Sequence, residues 1–266
     1  MGLAMSLAAA PLGKVCALKH IRMQPIDLET RRPNIPLERM ETADVLACVE
    51  PFTTARPAEL ELLGRTALRL RKTPGSVLIS EGQAPDGLYI VLRGRVNLLR
   101  VADGGRDLIL AALGPGEVFG EACAFGGVMN STTAVAAVQS ELLRVTPEAL
   151  IEHLHREPET VLRLMRLQGE KMREVEAVAS GLALCDVEER LRRTLARLAR
   201  RQGRRGPAST GWILAPVPTQ SELARMVGSC RETVSRTLSA MARSGLVSAS
   251  GRRMLLDDRI VDGVAA

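Results

Sequence analysis

The sequence predicts an α+β fold with an N-terminal antiparallel, jelly-roll-like β-roll, a long dimerisation helix and a C-terminal winged helix-turn-helix. Short β runs separated by glycines fill residues 69–145, and an apolar stripe with alternating spacings of four and three runs through residues 158–182. Two short helical patterns joined by a glycine occupy residues 219–238. Strand runs without intervening helices are typical of a rolled antiparallel sheet rather than of βαβ units.

Composition and charge narrow the class of protein. A chain of 266 residues has room for two cores, and 46% hydrophobic with 25% charged residues is ordinary for a globular protein. Aromatic residues make up only 2%, which argues against base stacking on single-stranded nucleic acid. The net charge of +6 is uneven, because residues 186–260 hold fifteen Arg, no Lys and seven Asp or Glu. The basic C-terminal third predicts a polyanionic partner.

Reactive side chains do not group into a catalytic or metal site. An odd, scattered set of cysteines predicts neither a disulfide framework nor a metal site and fits a reducing cytoplasm. No apolar run approaches the roughly 18 residues of a membrane span, so no membrane partner is expected. We therefore expect no enzyme and no metal. The side chains concerned are Cys16, Cys48, Cys123, Cys185, Cys230, His20, His153 and His155.

The N-terminal half divides into a tail and a sensor domain. Prolines and a lack of periodicity predict a flexible tail over residues 1–44. Residues 45–157 begin with short helical signals and continue with strand runs at 76–80, 87–94, 95–101 and 106–113, the last two joined by the turn Asp103-Gly104-Gly105. The glycine-rich segment 114–125 can cradle a phosphate, or it can simply turn corners.

Residues 158–184 predict one long helix and a hinge. Its apolar stripe is a heptad seam with one polar member, and charged residues flank it. Such a helix can pack its stripe onto its own β domain, but the continuous spacing with flanking charges favours pairing with a second copy. The predicted dimer seam is Val161, Met165, Gln168, Met172, Val175, Ala179 and Leu182.

Residues 185–266 predict the winged helix-turn-helix. Thr219 with Glu222 and Ser229 with Glu232 each form a capping-box pattern, and Gly228 between them can adopt the positive φ of the turn. An αα-hairpin inside a helical domain is the alternative, but two capping boxes ten residues apart favour DNA binding. Residues 246–258 read as a small hairpin, the wing, with Arg252 and Arg253 placed to meet phosphates.

Order and motifs together resemble the Crp/Fnr family of bacterial transcription regulators over residues 45–260. GSCRETVSR (228–236) is close to the family's recognition-helix signature, LCDVEERL (184–191) looks like its hinge, and GEVFGEACAF (116–125) looks like its phosphate-binding cassette. The resemblance implies that Arg231, Glu232 and Arg236 read bases of a G·C-containing, TGTGA-like half-site. It implies phosphate contacts for Thr219, Gln220, Ser229 and Thr233, with Gln220 replacing a residue that is often Arg.

The resemblance also predicts a degenerate ligand pocket. Gly120 and Glu121 match the family's ribose-binding pair, but Ser131, followed by Thr132 and Thr133, stands where cyclic-nucleotide-binding members have an Arg for the phosphate. Losing that guanidinium costs roughly 2–4 kcal/mol of binding. Where those members contact adenine with hydroxyl residues, this chain has Val175 and Glu176. We therefore expect no cyclic mononucleotide cofactor, and Cys16 and Cys48 alone cannot hold an iron–sulfur cluster.

Together these observations predict a cytoplasmic, homodimeric regulator that binds palindromic promoter DNA, acts with RNA polymerase as an activator or repressor, and is active without cyclic AMP. Two alternatives remain open at this point. One is a regulator switched by another small molecule, such as a cyclic dinucleotide. The other is a ligand-receptor module that controls a partner protein.

Overall fold

The computed structural model describes residues 36–126, 128–206 and 211–263. They form an antiparallel β-roll, a long helix and a C-terminal helix-turn-helix domain with a small sheet, which confirms the predicted fold class. The predicted tail lies mostly outside the described residues. Its boundary at residue 44 is wrong, because Leu37 in the 3-10 helix Leu37–Arg39 is buried in the core of the roll and a helix begins at Thr42.

The β-roll consists of two four-stranded antiparallel sheets. The first has the strand order β1-β8-β3-β6 and the second the order β2-β7-β4-β5. Tyr89 stacks on Phe119 between the sheets at 5.0 Å, beside the buried side chains of Val91 and Leu142. The strands are β1 (Leu68–Lys72), β2 (Val77–Ile79), β3 (Leu88–Arg93), β4 (Val96–Val101), β5 (Asp107–Leu113), β6 (Val118–Phe119), β7 (Thr133–Ala136) and β8 (Ser140–Val145).

Three helices cover the outer face of the first sheet. They are α1 (Thr42–Cys48), α2 (Pro57–Thr66) and α3 (Pro147–Arg156). Leu46, Leu63 and Leu150 from these helices pack against Ile90 and Leu143 of the sheet. Because both faces of β3 are covered, its first five residues are all buried and do not alternate with polar ones.

Two helices meet at the hinge. Helix α4 (Pro158–Leu184) starts with a proline at its first position, where the missing N–H costs nothing. Helix α5 (Val187–Gln202) begins after Asp186, whose carboxylate accepts a hydrogen bond from the Glu189 amide at 2.8 Å. Asp186 is therefore the N-cap of α5, and Cys185 and Asp186 form the break between the helices.

The C-terminal domain surrounds α5. It contains α6 (Gln220–Val227), α7 (Arg231–Arg243) and α8 (Asp258–Asp262), with a sheet of β9 (Arg204–Arg205), β10 (Trp212–Leu214), β11 (Val247–Ser250) and β12 (Arg253–Leu256) in the order β11-β12-β10-β9. Strands β11 and β12 pair antiparallel and form the predicted wing.

The core of the C-terminal domain extends into the roll. Leu99 of β4 and Ile109 of β5 belong to the same buried cluster as Leu195 of α5 and Leu223 of α6. Ile109, Leu195 and Leu223 are at most 1% exposed. The two parts that the sequence predicts as separate domains therefore share apolar packing in this structure.

Candidate DNA interface and effector pocket

Helices α6 and α7 form the predicted helix-turn-helix. The Thr219 hydroxyl accepts a hydrogen bond from the Glu222 amide at 3.2 Å, and the Thr219 amide donates to the Glu222 carboxylate at 2.8 Å, so the first capping box is present. Gly228 ends α6 with φ of 62°. A Cβ at Gly228 would lie 2.7 Å from Leu182 Cδ2 in a strained left-handed conformation, and glycine satisfies both constraints.

The second predicted capping box is not formed. Helix α7 has Cys230 as its N-cap, without a side-chain capping bond, so the helix begins one residue after the Ser229-capped start would place it. Glu232 is then the second residue of the helix. Its own backbone amide lowers the pKa of its carboxyl, with further lowering by the Cys230 side chain and by the charges of Arg231 and Arg236. Glu232 is thus ionised at neutral pH and can only accept hydrogen bonds.

The outer face of α7 presents the predicted base-reading side chains. Arg231, Glu232 and Arg236 are exposed, whereas Val234 and Leu238 on the opposite face are buried. The other predicted DNA contacts lie near the two helix starts and on the wing: Thr219 and Gln220 at the exposed start of α6, Ser229 and Thr233 partly buried around the start of α7, and Arg252 and Arg253 exposed in the hairpin.

A buried ion pair holds the first helix of the motif against the roll. Arg95, between β3 and β4, donates through Nη2 to Glu222 Oε1 at 2.5 Å, and the two side chains are only 6% and 10% exposed. Burial raises the pKa of Glu222, but the Thr219 amide and the Arg95 charge outweigh it, so the pKa is lowered overall. A second pair joins Arg225 to Asp107 of β5 at 2.7 Å. Sequence patterns did not reveal these contacts, because the partners lie more than 100 residues apart.

The glycine and glutamate of the predicted ligand pocket are held in place by the fold. Gly120 has φ of 81°, and a Cβ there would clash with the carbonyl oxygen of Gly87. Glu121 Oε2 accepts from Lys171 Nζ of α4 at 2.7 Å, and Lys171 also donates to the Val118 carbonyl at 3.0 Å. Burial raises the pKa of Glu121, but the adjacent ammonium reverses the effect and leaves it lowered.

Lys171 was not predicted as a pocket residue. It is the sole lysine of α4 and lies seven residues after the buried Leu164, on the helix face that packs on the roll, and that spacing was the available signal. The other predicted pocket positions are less enclosed. Ser131, Val175 and Glu176 are exposed and Thr132 is partly buried, while the Thr133 hydroxyl accepts from the Glu81 amide at 3.2 Å.

Most of the predicted seam is exposed on α4 of the single chain. Met165 and Met172 are 61% and 65% exposed, and Val175, Ala179 and Leu182 are exposed as well, with Val161 partly buried. Gln168 differs, because its amide nitrogen is buried and lies beside Glu121, whose pKa it helps to lower. Gln168 is therefore turned toward the roll rather than along the stripe.

Comparison with known proteins matches two segments of the chain to family models. Residues 69–157 match the model of the cyclic nucleotide-binding domain, and residues 189–259 match the Crp-like helix-turn-helix domain. The chain is 33% identical over 198 residues to the cyclic AMP receptor protein of Thermus thermophilus, covering 74% of this chain and 87% of that protein. The chain belongs to the Crp/Fnr family of bacterial transcription regulators.

Further relatives of this Crp/Fnr protein respond to different nucleotides. A CRP-like cAMP-activated global transcriptional regulator of Mycobacterium tuberculosis is 28% identical over 217 residues, covering 81% of this chain and 95% of that protein. The chain also resembles the solved structure of the c-di-GMP responsive global regulator CLP of Xanthomonas campestris, with a TM-score of 0.60 and 26% sequence identity. The match covers 76% of this chain and 99% of that one. The chain is thus similar to DNA-binding transcription regulators rather than to enzymes.

Other kinds of site are not evident in the described part of this Crp/Fnr chain. Among those residues no three His, Cys, Asp or Glu side chains come together to hold a metal, and no helix is long and apolar enough to cross a membrane. Cys48, Cys123, Cys185 and Cys230 are free thiols. His153 is buried edge-on against Phe52 at 5.5 Å, which is a packing contact.

Replacing Glu222 by Gln tests the anchoring pair. The substitution leaves the Arg95 guanidinium buried without its counter-charge, so we expect the free energy of unfolding at pH 7 to fall by about 3–5 kcal/mol. The control is Glu152→Gln, which removes an exposed pair with Arg156 and should cost less than about 0.5 kcal/mol. Urea denaturation of the natural chain and the two variants measures both free energies of unfolding. Equal losses in the two variants would show that the buried pair stabilises the fold no more than an exposed pair does.

The stability that Glu222→Gln loses relative to the natural chain should also depend on pH. Because the folded protein lowers the pKa of Glu222 below its ordinary value of 4.5, the stabilisation is present above about pH 4.5 and is lost as the pH falls through the folded-state value. The stability difference between the natural chain and Glu222→Gln should therefore shrink between pH 7 and pH 3. A difference that stays constant over this range would contradict the assignment.

Proposed function

We propose that the protein is a homodimeric, sequence-specific regulator that reads palindromic, TGTGA-like half-sites in promoter DNA. The observation that carries the proposal is the exposed face of α7, where Arg231, Glu232 and Arg236 point away from the domain core. Arginine can donate two hydrogen bonds to a guanine edge, and an ionised Glu232 can accept from cytosine N4. The side chains at the start of α6, in the turn and on the wing would then contact phosphates and fix the register.

The exposed stripe on α4 supports the dimer. A monomer rarely leaves a row of apolar side chains such as Met165, Met172, Val175 and Leu182 in water, whereas a second copy of α4 would cover it. A two-fold axis along paired helices would also place two recognition helices in successive major grooves, as a palindromic site requires. Contact with RNA polymerase at the promoter is part of the proposal.

We further propose that DNA binding does not require cyclic AMP. Ser131 offers no positive charge to a cyclic phosphate, and Glu121, the residue that would hold the ribose, already accepts from Lys171 at 2.7 Å. The predicted ribose-binding and phosphate-binding positions are polar but lack the guanidinium that a buried phosphate needs.

A regulator switched by another small molecule, such as a cyclic dinucleotide, is the second candidate, supported by the similarity to a c-di-GMP responsive regulator.

Base reading is tested by Arg231→Ala. After selection of a preferred duplex from random DNA, we expect this variant to bind the selected site about 1–3 kcal/mol more weakly and to relax the preference at one base pair of each half-site. Arg65→Ala, an exposed arginine on α2, is the control and should leave binding unchanged. Mobility-shift titrations at fixed salt provide the measurement. Selection that enriches no two-fold-symmetric sequence would refute the proposal itself.

Nucleotide independence is tested by restoring the missing charge. The natural chain should show no calorimetric binding of cyclic AMP at micromolar concentrations, whereas Ser131→Arg should gain affinity by roughly 30-fold or more, because it adds a charge-assisted contact to the phosphate. Gln139→Arg adds the same charge at an exposed turn and should not gain affinity. Micromolar binding by the natural chain, with a matching rise in DNA affinity, would overturn this part of the proposal.

A further inference from the structure

A cleft of about 450 Å³ lies between α4, α5 and the end of α6. Its walls come from both sides of the hinge at Cys185, and it is separate from the Gly120–Glu121 pocket in the roll. Val178 and Leu182 of α4 and Met226 of α6 give it an apolar floor. Six arginines line the walls: Arg173, Arg190, Arg193, Arg197, Arg200 and Arg201.

The cleft carries an excess of positive charge. Glu170 and Glu174 are the carboxylates in its lining, and both are already paired, Glu174 with Arg201 at 2.6 Å and Glu170 with Arg166 at 3.2 Å. Arg190 directs its donors to the backbone carbonyls of Val227 and Cys185, which do not neutralise its charge. The cleft lining thus holds six guanidinium groups and two engaged carboxylates, while Glu189 pairs with Arg193 and Glu117 pairs with Arg201 from outside the lining.

Arg197 stands out within the cleft. Within the described ranges no hydrogen bond or ion pair holds its guanidinium, and burial lowers its pKa despite the nearby charge of Glu174. A partly buried cation with five unused N–H donors is costly unless something pairs with it. Arg173, on the α4 wall, is exposed and likewise has no ion pair among the described residues.

We propose that this cleft binds an organic anion with an apolar body, whose phosphate or carboxylate pairs with Arg197 and Arg173 and whose body rests on Val178 and Met226. The volume falls within the range of small-molecule sites, about 300–1,000 Å³. Two arginines on opposite walls suit a charged group placed between them, since guanidinium groups bind phosphate and carboxylate with paired hydrogen bonds. The ligand would contact both sides of the hinge and fix the angle between α4 and α5.

Calorimetric titration of the 266-residue chain, without DNA, tests the site. The two probes are ATP, an aromatic phosphate, and decanoate, an alkyl carboxylate. We expect at least one of them to bind at one molecule per chain with a Kd below about 100 µM, and the better probe identifies which anionic group the cleft prefers. Binding is expected to weaken at least tenfold in Arg197→Gln and also in Arg173→Gln, an exposed position where the change leaves folding intact.

Arg65→Gln on α2 is the matched control and should bind as the natural chain does. No saturable binding of either probe would overturn the proposal. Binding that is unchanged in both Arg197→Gln and Arg173→Gln would also overturn it, because the probe would then occupy a different site. Since DNA is absent from the experiment, either result leaves the proposed base reading untouched.

Discussion

The carboxylate of Glu222 is the group on which the arrangement of sensor and reader depends. One of its oxygens accepts from the Thr219 amide and sets the first residue of α6, while the other accepts from the buried Arg95 guanidinium of the roll. Helix start and domain docking are thus fixed by the same side chain. Because Gly228 ends α6 with a left-handed turn, the position of α6 also determines which face α7 presents to solvent.

Polar pairs and apolar packing reinforce this docking from several sides. Asp107 of β5 binds Arg225, and Glu117 before β6 binds Arg201 of α5, so the roll holds both α5 and α6. Leu99 and Ile109 add apolar contact beneath these pairs. A ligand-driven shift of β4 or β5 would therefore act directly on the helix-turn-helix, and a ligand in the cleft between α4 and α5 would act on the same unit from the hinge side.

Local sequence patterns predicted the elements well. The Thr219–Glu222 capping box, Gly228 and the wing all appear where spacing within a few residues predicts them. Residues far apart in sequence were not predictable in this way. The local sequence around Arg95 and Lys171 does not identify Glu222 and Glu121 as their partners, because only the folded chain brings these carboxylates within reach. Ser229 failed as a cap because Cys230, in extended backbone, takes that position.

Differential scanning calorimetry tests most directly whether the roll and the helix-turn-helix form one cooperative unit through the Arg95–Glu222 contact and the shared core. We expect a single transition whose calorimetric and van't Hoff enthalpies agree once dimer dissociation is included, because neither part can expose the shared core alone. Two separate transitions, one assigned to the roll and the other to the C-terminal domain, would contradict the account.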